Sequence, residues 1–130
     1  MRFVKVVAIA MSTLALSSCQ YGYDIAVFVR NGHIVFKLGN GGRTPRVNLF
    51  QVEEISRRSH AVWRLETTQA NGPELSDLQY GRVPNRFKET VPAKRLEVGR
   101  VYRVGLFAVN GVGEQAFAIS ESGEILKVSR

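Results

Sequence analysis

One cysteine, Cys19, stands in 130 residues, so no disulfide can form within the chain. Histidine is nearly as scarce. His33 and His60 are the only two, each falls where a strand meets a turn, and no cluster of His, Cys, Asp or Glu at ligand spacing marks a metal site. No Gly-x-Ser-x-Gly is present, which removes the nucleophile elbow from consideration. The one adjacent carboxylate pair of note, Glu53-Glu54, cannot share a proton on a strand, because neighbours there point to opposite faces. Low-complexity tracts, charge blocks and repeats are missing, and no stretch after residue 18 sustains a 3.6-residue period. These absences point to a non-enzymatic protein with no cofactor.

What is there begins at the amino terminus. Arg2 and Lys5 precede an apolar stretch from Val6 to Leu16. Eleven helical residues would reach roughly 16 Å, about half of a bilayer core, so the segment is too short to span. A basic start, a short apolar run and small residues before a cut site are the marks of a secretory signal. The run Leu16-Ser17-Ser18-Cys19 resembles the lipobox of bacterial lipoprotein precursors. The resemblance implies that residues 1–18 are a signal peptide, that cleavage falls before Cys19, and that this cysteine carries the acyl chains that tether the protein to a membrane. An unpaired thiol in an oxidising compartment would thereby be consumed, which accounts for the odd cysteine. An ordinary buried thiol is the alternative reading. In that family an aspartate directly after the cysteine favours retention in the inner membrane. Gln20 holds the place here, which implies an outer-membrane lipoprotein facing the periplasm; the inner membrane and the cell surface stay open as alternatives. Residues 19–24 read as a lipidated tether. Its five residues after Cys19 reach at most about 17 Å, so the domain is expected close to the lipid head groups.

Charge agrees with that placement. The chain carries 18 basic and 11 acidic side chains, and removal of Arg2 and Lys5 with the signal leaves 16 against 11, a net +5. Basic residues near an anionic bilayer each contribute about 1 kcal/mol of attraction. Arginines spread over exposed strand faces for solubility would give the same count. Secretion argues against nucleic acid as the partner that a basic chain otherwise suggests.

Residues 25–130 alternate with period two between glycine-containing turns. Asn31-Gly32, set between two apolar runs, predicts a type I′ hairpin, since both turn residues need positive φ. That register pairs Val29 with Ile34, Val27 with Phe36 and Ile25 with Leu38, all on one face, and leaves Arg30, His33 and Lys37 on the other. Further strands are expected at 47–55, 60–67, 78–80, 101–109, 115–120 and 125–128. Within 60–67, Ala61, Trp63 and Leu65 point one way, and Val62, Arg64 and Glu66 the other. The stretch 81–92, limited by Pro84 and Pro92, reads as irregular, and 110–113 as a turn. Eight or nine short strands at this spacing predict an all-β sandwich or barrel.

The segment Leu96-Glu97-Val98-Gly99-Arg100-Val101-Tyr102-Arg103-Val104 resembles the start of strand F in fibronectin type III and other immunoglobulin-like domains. The resemblance implies an immunoglobulin-like β-sandwich, a tyrosine corner in which the Tyr102 hydroxyl bonds back to the preceding loop, and Leu96 plugging the core beneath. Ala108-Val109-Asn110-Gly111-Val112-Gly113 is similar to that family's F–G turn, and Trp63 is placed like its core tryptophan. The match covers about 25 residues well; the amino-terminal hairpin and the last strand pair are departures.

Two loops offer polar contacts. Gly39-Asn40-Gly41-Gly42-Arg43, with Arg46 close by, combines backbone donors and two guanidinium groups suited to a phosphate or carboxylate; it reads equally as a flexible connection. Gly81 to Lys88 is basic through Arg82, Arg86 and Lys88 and holds Phe87, either exposed for recognition or tucked inside. The function expected from all this is a lipid-anchored module that binds another protein or an envelope component. The alternatives are an immunity or inhibitor lipoprotein acting on a toxin or hydrolase, and an enzyme or small-ligand carrier whose site the sequence does not announce.

Overall fold

At the Asn31-Gly32 turn both residues adopt the left-handed backbone that the dipeptide favours, with φ of 51° and 77°. The flanking strands β2 (Ile25–Arg30) and β3 (His33–Leu38) pair in the register expected from the alternation: Ile25 with Leu38, Val27 with Phe36, Val29 with Ile34. The structure is a computed structural model that describes residues 21–39 and 43–129. The expected signal helix, Cys19 and residues 40–42 of the glycine-rich loop lie outside the described residues.

Ten strands form among the described residues: β1 (Tyr21–Gly22), β2, β3, β4 (Val47–Glu54), β5 (His60–Thr67), β6 (Asp77–Gln79), β7 (Phe87–Val91), β8 (Val101–Ala108), β9 (Gly111–Ile119) and β10 (Ile125–Val128). A small sheet has the order β2-β3-β6, and a larger one runs β1-β9-β8-β4-β5-β7, with β10 also on β9. Pairing is antiparallel throughout except for β1 on β9. The protein is therefore all-β, two sheets packed as a sandwich.

The facing sides meet through aromatic side chains. Phe36 of the small sheet lies 5.4 Å from Phe50 and 5.9 Å from Phe117 of the large one, measured between ring centroids. Phe50 continues edge-on to Trp63 at 5.7 Å. All four are fully buried, the arrangement in which tilted and edge-on rings contribute beyond their buried area. Trp63 donates its indole N–H to Glu89 Oε2 at 2.8 Å, so its one polar atom is satisfied.

The structure departs from the strict alternation at identifiable places. Val62 is buried, not solvent-facing. The β4–β5 register passes from Val52–Trp63 to Glu53–Ala61 and skips it, a β-bulge that puts two consecutive residues on one side. The Val62 carbonyl accepts the Lys94 N–H at 2.9 Å, from the segment that follows β7. Val35 is also buried, on the face of the hairpin opposite the core. It lines a depression with Val83 and Pro84, residues of the β6–β7 connection that lies against that face. Val29, expected among the core residues, is 44% exposed because the hairpin tip projects past the core.

Three further differences concern strand limits. The stretch 81–92 is not wholly irregular: Phe87–Val91 pairs with β5 as an edge strand, which the prolines bracket rather than interrupt. The turn after β8 is only Val109-Asn110; Gly111 already pairs with Ala108. Finally, a two-residue strand at Tyr21–Gly22 precedes the hairpin and pairs with Gly111 and Val112.

Candidate functional site

The five cations singled out in the sequence are all exposed and occupy three places. Arg43 and Arg46 stand in the β3–β4 connection. The Arg46 carbonyl accepts from Val109 N–H at 3.0 Å, and Arg46 forms an isolated bridge with Glu74, which sets this connection beside the β8–β9 turn. Arg86 and Lys88 stand at the start of β7. Arg86 has a left-handed φ of 72°, and its carbonyl accepts Thr68 N–H at 3.0 Å and the Thr67 and Thr68 hydroxyls at 3.4 and 3.3 Å. Lys88 pairs across the ladder with Glu66. Phe87 between them is buried at 8% exposure, so it is a core residue and not an exposed recognition aromatic.

Arg82 sits elsewhere, on the outer face of the small sheet. There it lines a depression of ≈ 360 Å³ with Arg30, His33, Asp77 and Gln79. The sequence placed Arg30 and His33 on one polar face of the hairpin but gave no sign that Arg82 would join them. The link is the β6–β7 connection folding back over Val35. Arg30 also lies over the Phe28 ring, 5.1 Å from its centroid, a cation–π contact that holds the guanidinium along the sheet. Two guanidinium groups and an imidazole against one carboxylate make this surface suited to an acidic ligand.

A second surface lies on the outer face of the large sheet. Gly105 leaves its floor without a side chain, and a depression of ≈ 690 Å³ opens there, lined by Gln51, Glu53, Arg103, Glu114, Phe107 and Val112, with Gly22 to Asp24 at one side. Arg103 donates to Glu53 Oε1 through Nε at 2.7 Å and through its terminal nitrogen as well. Glu54 turns instead to Arg100, 3.0 Å away. The adjacent carboxylates thus serve two different partners, and at these exposures solvent screens both pairs strongly. Toward the β8–β9 turn the same face becomes apolar: Leu49, Phe107 and Val112 are direct partners across three strands. Phe107 is 48%, Val112 46% and the adjoining Val109 52% exposed. The signal for this patch was in the sequence: Phe107 and Val109 fall at positions where the strand's alternation calls for polar residues.

Beside that patch the amino-terminal segment is locked to the sheet. Tyr23 donates its N–H to Val112 O at 2.8 Å and its hydroxyl to Asn110 Oδ1 at 2.7 Å, and Asp24 O accepts from Gly39 N–H at 3.0 Å. Tyr23 is buried in the sandwich above Gly113, where any side chain would collide with it.

Tyr102 and Leu96 stand as their segment suggested. Glu97 N–H donates to the Tyr102 hydroxyl at 2.8 Å, Tyr102 is 1% exposed, and Leu96 packs partly buried against the core. Burial pushes the Tyr102 phenol above its ordinary range, opposed by the Glu97 bond; burial does the same to Tyr80. Tyr102→Phe should lower the unfolding free energy by about 1 kcal/mol in urea titration, and an unchanged midpoint would remove the bond from the account of this corner.

His33 and His60 are both exposed. Among the described residues no three His, Cys, Asp or Glu side chains come together, and no helix is long and apolar enough to cross a membrane. Comparison with protein-family models, curated proteins and solved structures finds no match to this chain.

Proposed function

We propose that this chain is the precursor of a lipid-anchored envelope protein, acylated on Cys19, whose sandwich is a non-catalytic module binding another protein or an envelope component. The basic start, the apolar 6–16 and Leu16-Ser17-Ser18-Cys19 carry the address. The structural observation that supports it most is the position of β1. Its pairing with Gly111 and Val112 fixes the point where the chain leaves the sandwich, and Cys19 lies just two residues upstream. An acyl anchor there would hold the domain directly on the lipid surface, stably if two or more chains are attached. Gln20 favours the outer membrane.

The finer fold reading is an immunoglobulin-like sandwich of fibronectin type III kind. In its support, β2-β3-β6 and β4-β8-β9 follow the A-B-E and C-F-G strand orders of such domains, with Tyr102 at the start of the strand in the F place. On this reading the amino-terminal hairpin is the A–B pair and not an addition, while β1, β7 and β10 are additions at the sheet edges. The partner surface we favour is the depression of Arg30, His33 and Arg82. β2 runs six residues from Ile25, next to the anchor end, to Arg30, which sets that depression about 17–20 Å further from the membrane.

The test is metabolic labelling with palmitate followed by capture of the protein from envelope membranes. The wild type should take up label, fractionate with membranes and retain a stoichiometric macromolecule. Cys19→Ser should lose label and membrane association. Continued labelling of that variant would refute the anchor, and retention of a small molecule alone would favour a carrier.

A further inference from the structure

We infer that the exposed apolar patch of Phe107, Val109 and Val112 is the face that beds into the lipid interface, with the Val109-Asn110 turn as its tip. This rests on the reading of Cys19 as the acylated residue. The geometry that leads to it is the meeting of three observations at one end of the large sheet.

The first is where the chain enters. Tyr21 is the Cα partner of Gly111 and Gly22 that of Val112, so the residue carrying the anchor is two positions upstream of β1, the neighbour of the strand that carries Val112. Two extended residues span about 7 Å, less than the width of two strands, which lie 4.7–4.9 Å apart.

The second is rigidity. Tyr23 is tied to this end of the sheet twice, by its N–H to Val112 O of β9 at 2.8 Å and by its hydroxyl to Asn110 Oδ1 of the turn at 2.7 Å. Its ring is buried at 6% exposure. The entry segment cannot swing away to present another side of the sandwich without giving up these bonds and that burial. An anchor on a rigid stub selects the end of the domain that faces the bilayer.

The third is the chemistry of that end. Phe107 and Val112 are direct cross-strand partners on the outer face, Val109 projects in the adjoining turn, and all three are about half exposed. Leu49 extends the row by one strand. Charges around it are of both signs: Arg46, whose carbonyl accepts from Val109 N–H, bridges Glu74, and Asp24, Glu114 and Arg103 line the same depression as Phe107 and Val112, so apolar insertion and not simple attraction is the interaction the surface offers. Apolarity alone does not mark the face, because Leu126 on β10 is 49% exposed too. Leu126 pairs with Ala118, seven residues along β9 from Gly111, about 23 Å away. It is the internal comparison.

The experiment uses the full precursor, processed by the cell, purified and reconstituted in phosphatidylethanolamine–phosphatidylglycerol vesicles. Acylation consumes Cys19, so Val109→Cys or Leu126→Cys supplies the single thiol for a nitroxide label. Relaxation by lipid-soluble oxygen and by a water-soluble nickel chelate is then compared at the two sites. We expect the oxygen-to-nickel ratio at position 109 to exceed that at 126 severalfold. Equal ratios, or a higher ratio at 126, in protein that floats with the vesicles and takes one label per molecule would overturn the assignment of this face. Protein that takes two labels and does not float would instead show Cys19 unmodified, and the anchor reading would fall first, with the inference after it.

Discussion

Phe50→Ala should lower the unfolding free energy by about 3–5 kcal/mol, the range for removing a fully buried ring. Phe50 has no exposed surface, and its ring touches Phe36 of the small sheet and Trp63 of its own, at 5.4 and 5.7 Å. It is thus the bridge between the sheets, and its loss leaves a void lined by rigid aromatics that cannot collapse into it. Domains of this size have about 5–15 kcal/mol in total, so the variant should be close to the limit of folding. Urea titration should show a large fall in midpoint with the slope little changed. A loss below about 1 kcal/mol would mean that the two sheets are not packed through this ring.

Gly113→Ala should lower the unfolding free energy by about 1–3 kcal/mol through overpacking. The added Cβ would stand 2.4 Å from the Tyr23 carbonyl oxygen and 3.3 Å from the Tyr23 Cβ. Gly113 is opposite Leu106 on the core side of the sheet, and the space a side chain would take is filled by the Tyr23 carbonyl and Cβ. With a methyl group there Tyr23 must lift, and its bonds to Val112 and Asn110 go with it. Amide exchange at Tyr23 should therefore accelerate while the interior of β4 and β5 stays protected. Gly22→Ala is the control. Its Cβ meets nothing within 4 Å, so it should leave stability within about 0.5 kcal/mol of the wild type. Equal effects at both positions would count against Tyr23 as the latch.

Much of this fold was legible from local chemistry. Asn31-Gly32 fixed a register that the structure keeps pair by pair, because turn type and alternation both demand it. The strand His60–Thr67 has the limits that its pattern gave. What the pattern missed needs tertiary information. The burial of Val62 depends on a bulge, and its carbonyl accepts Lys94 N–H from the segment just past β7. β7 was hidden by Pro84 and Pro92, which read as breakers although they only flank five pairing residues. β1 is two residues long and carries no periodicity at all. The same limit applies to the surfaces. Arg30 and Arg82 meet only because the β6–β7 connection folds onto the hairpin.

The outermost strand of the large sheet has one more consequence. Proteins confined to a surface meet their own copies far more often than proteins in bulk, and an open sheet margin invites strand-to-strand stacking. Here that margin is only Phe87–Val91, with Lys88 in it and a proline at either side. So short, charged and bounded a margin offers a neighbouring copy little to zip onto along β7.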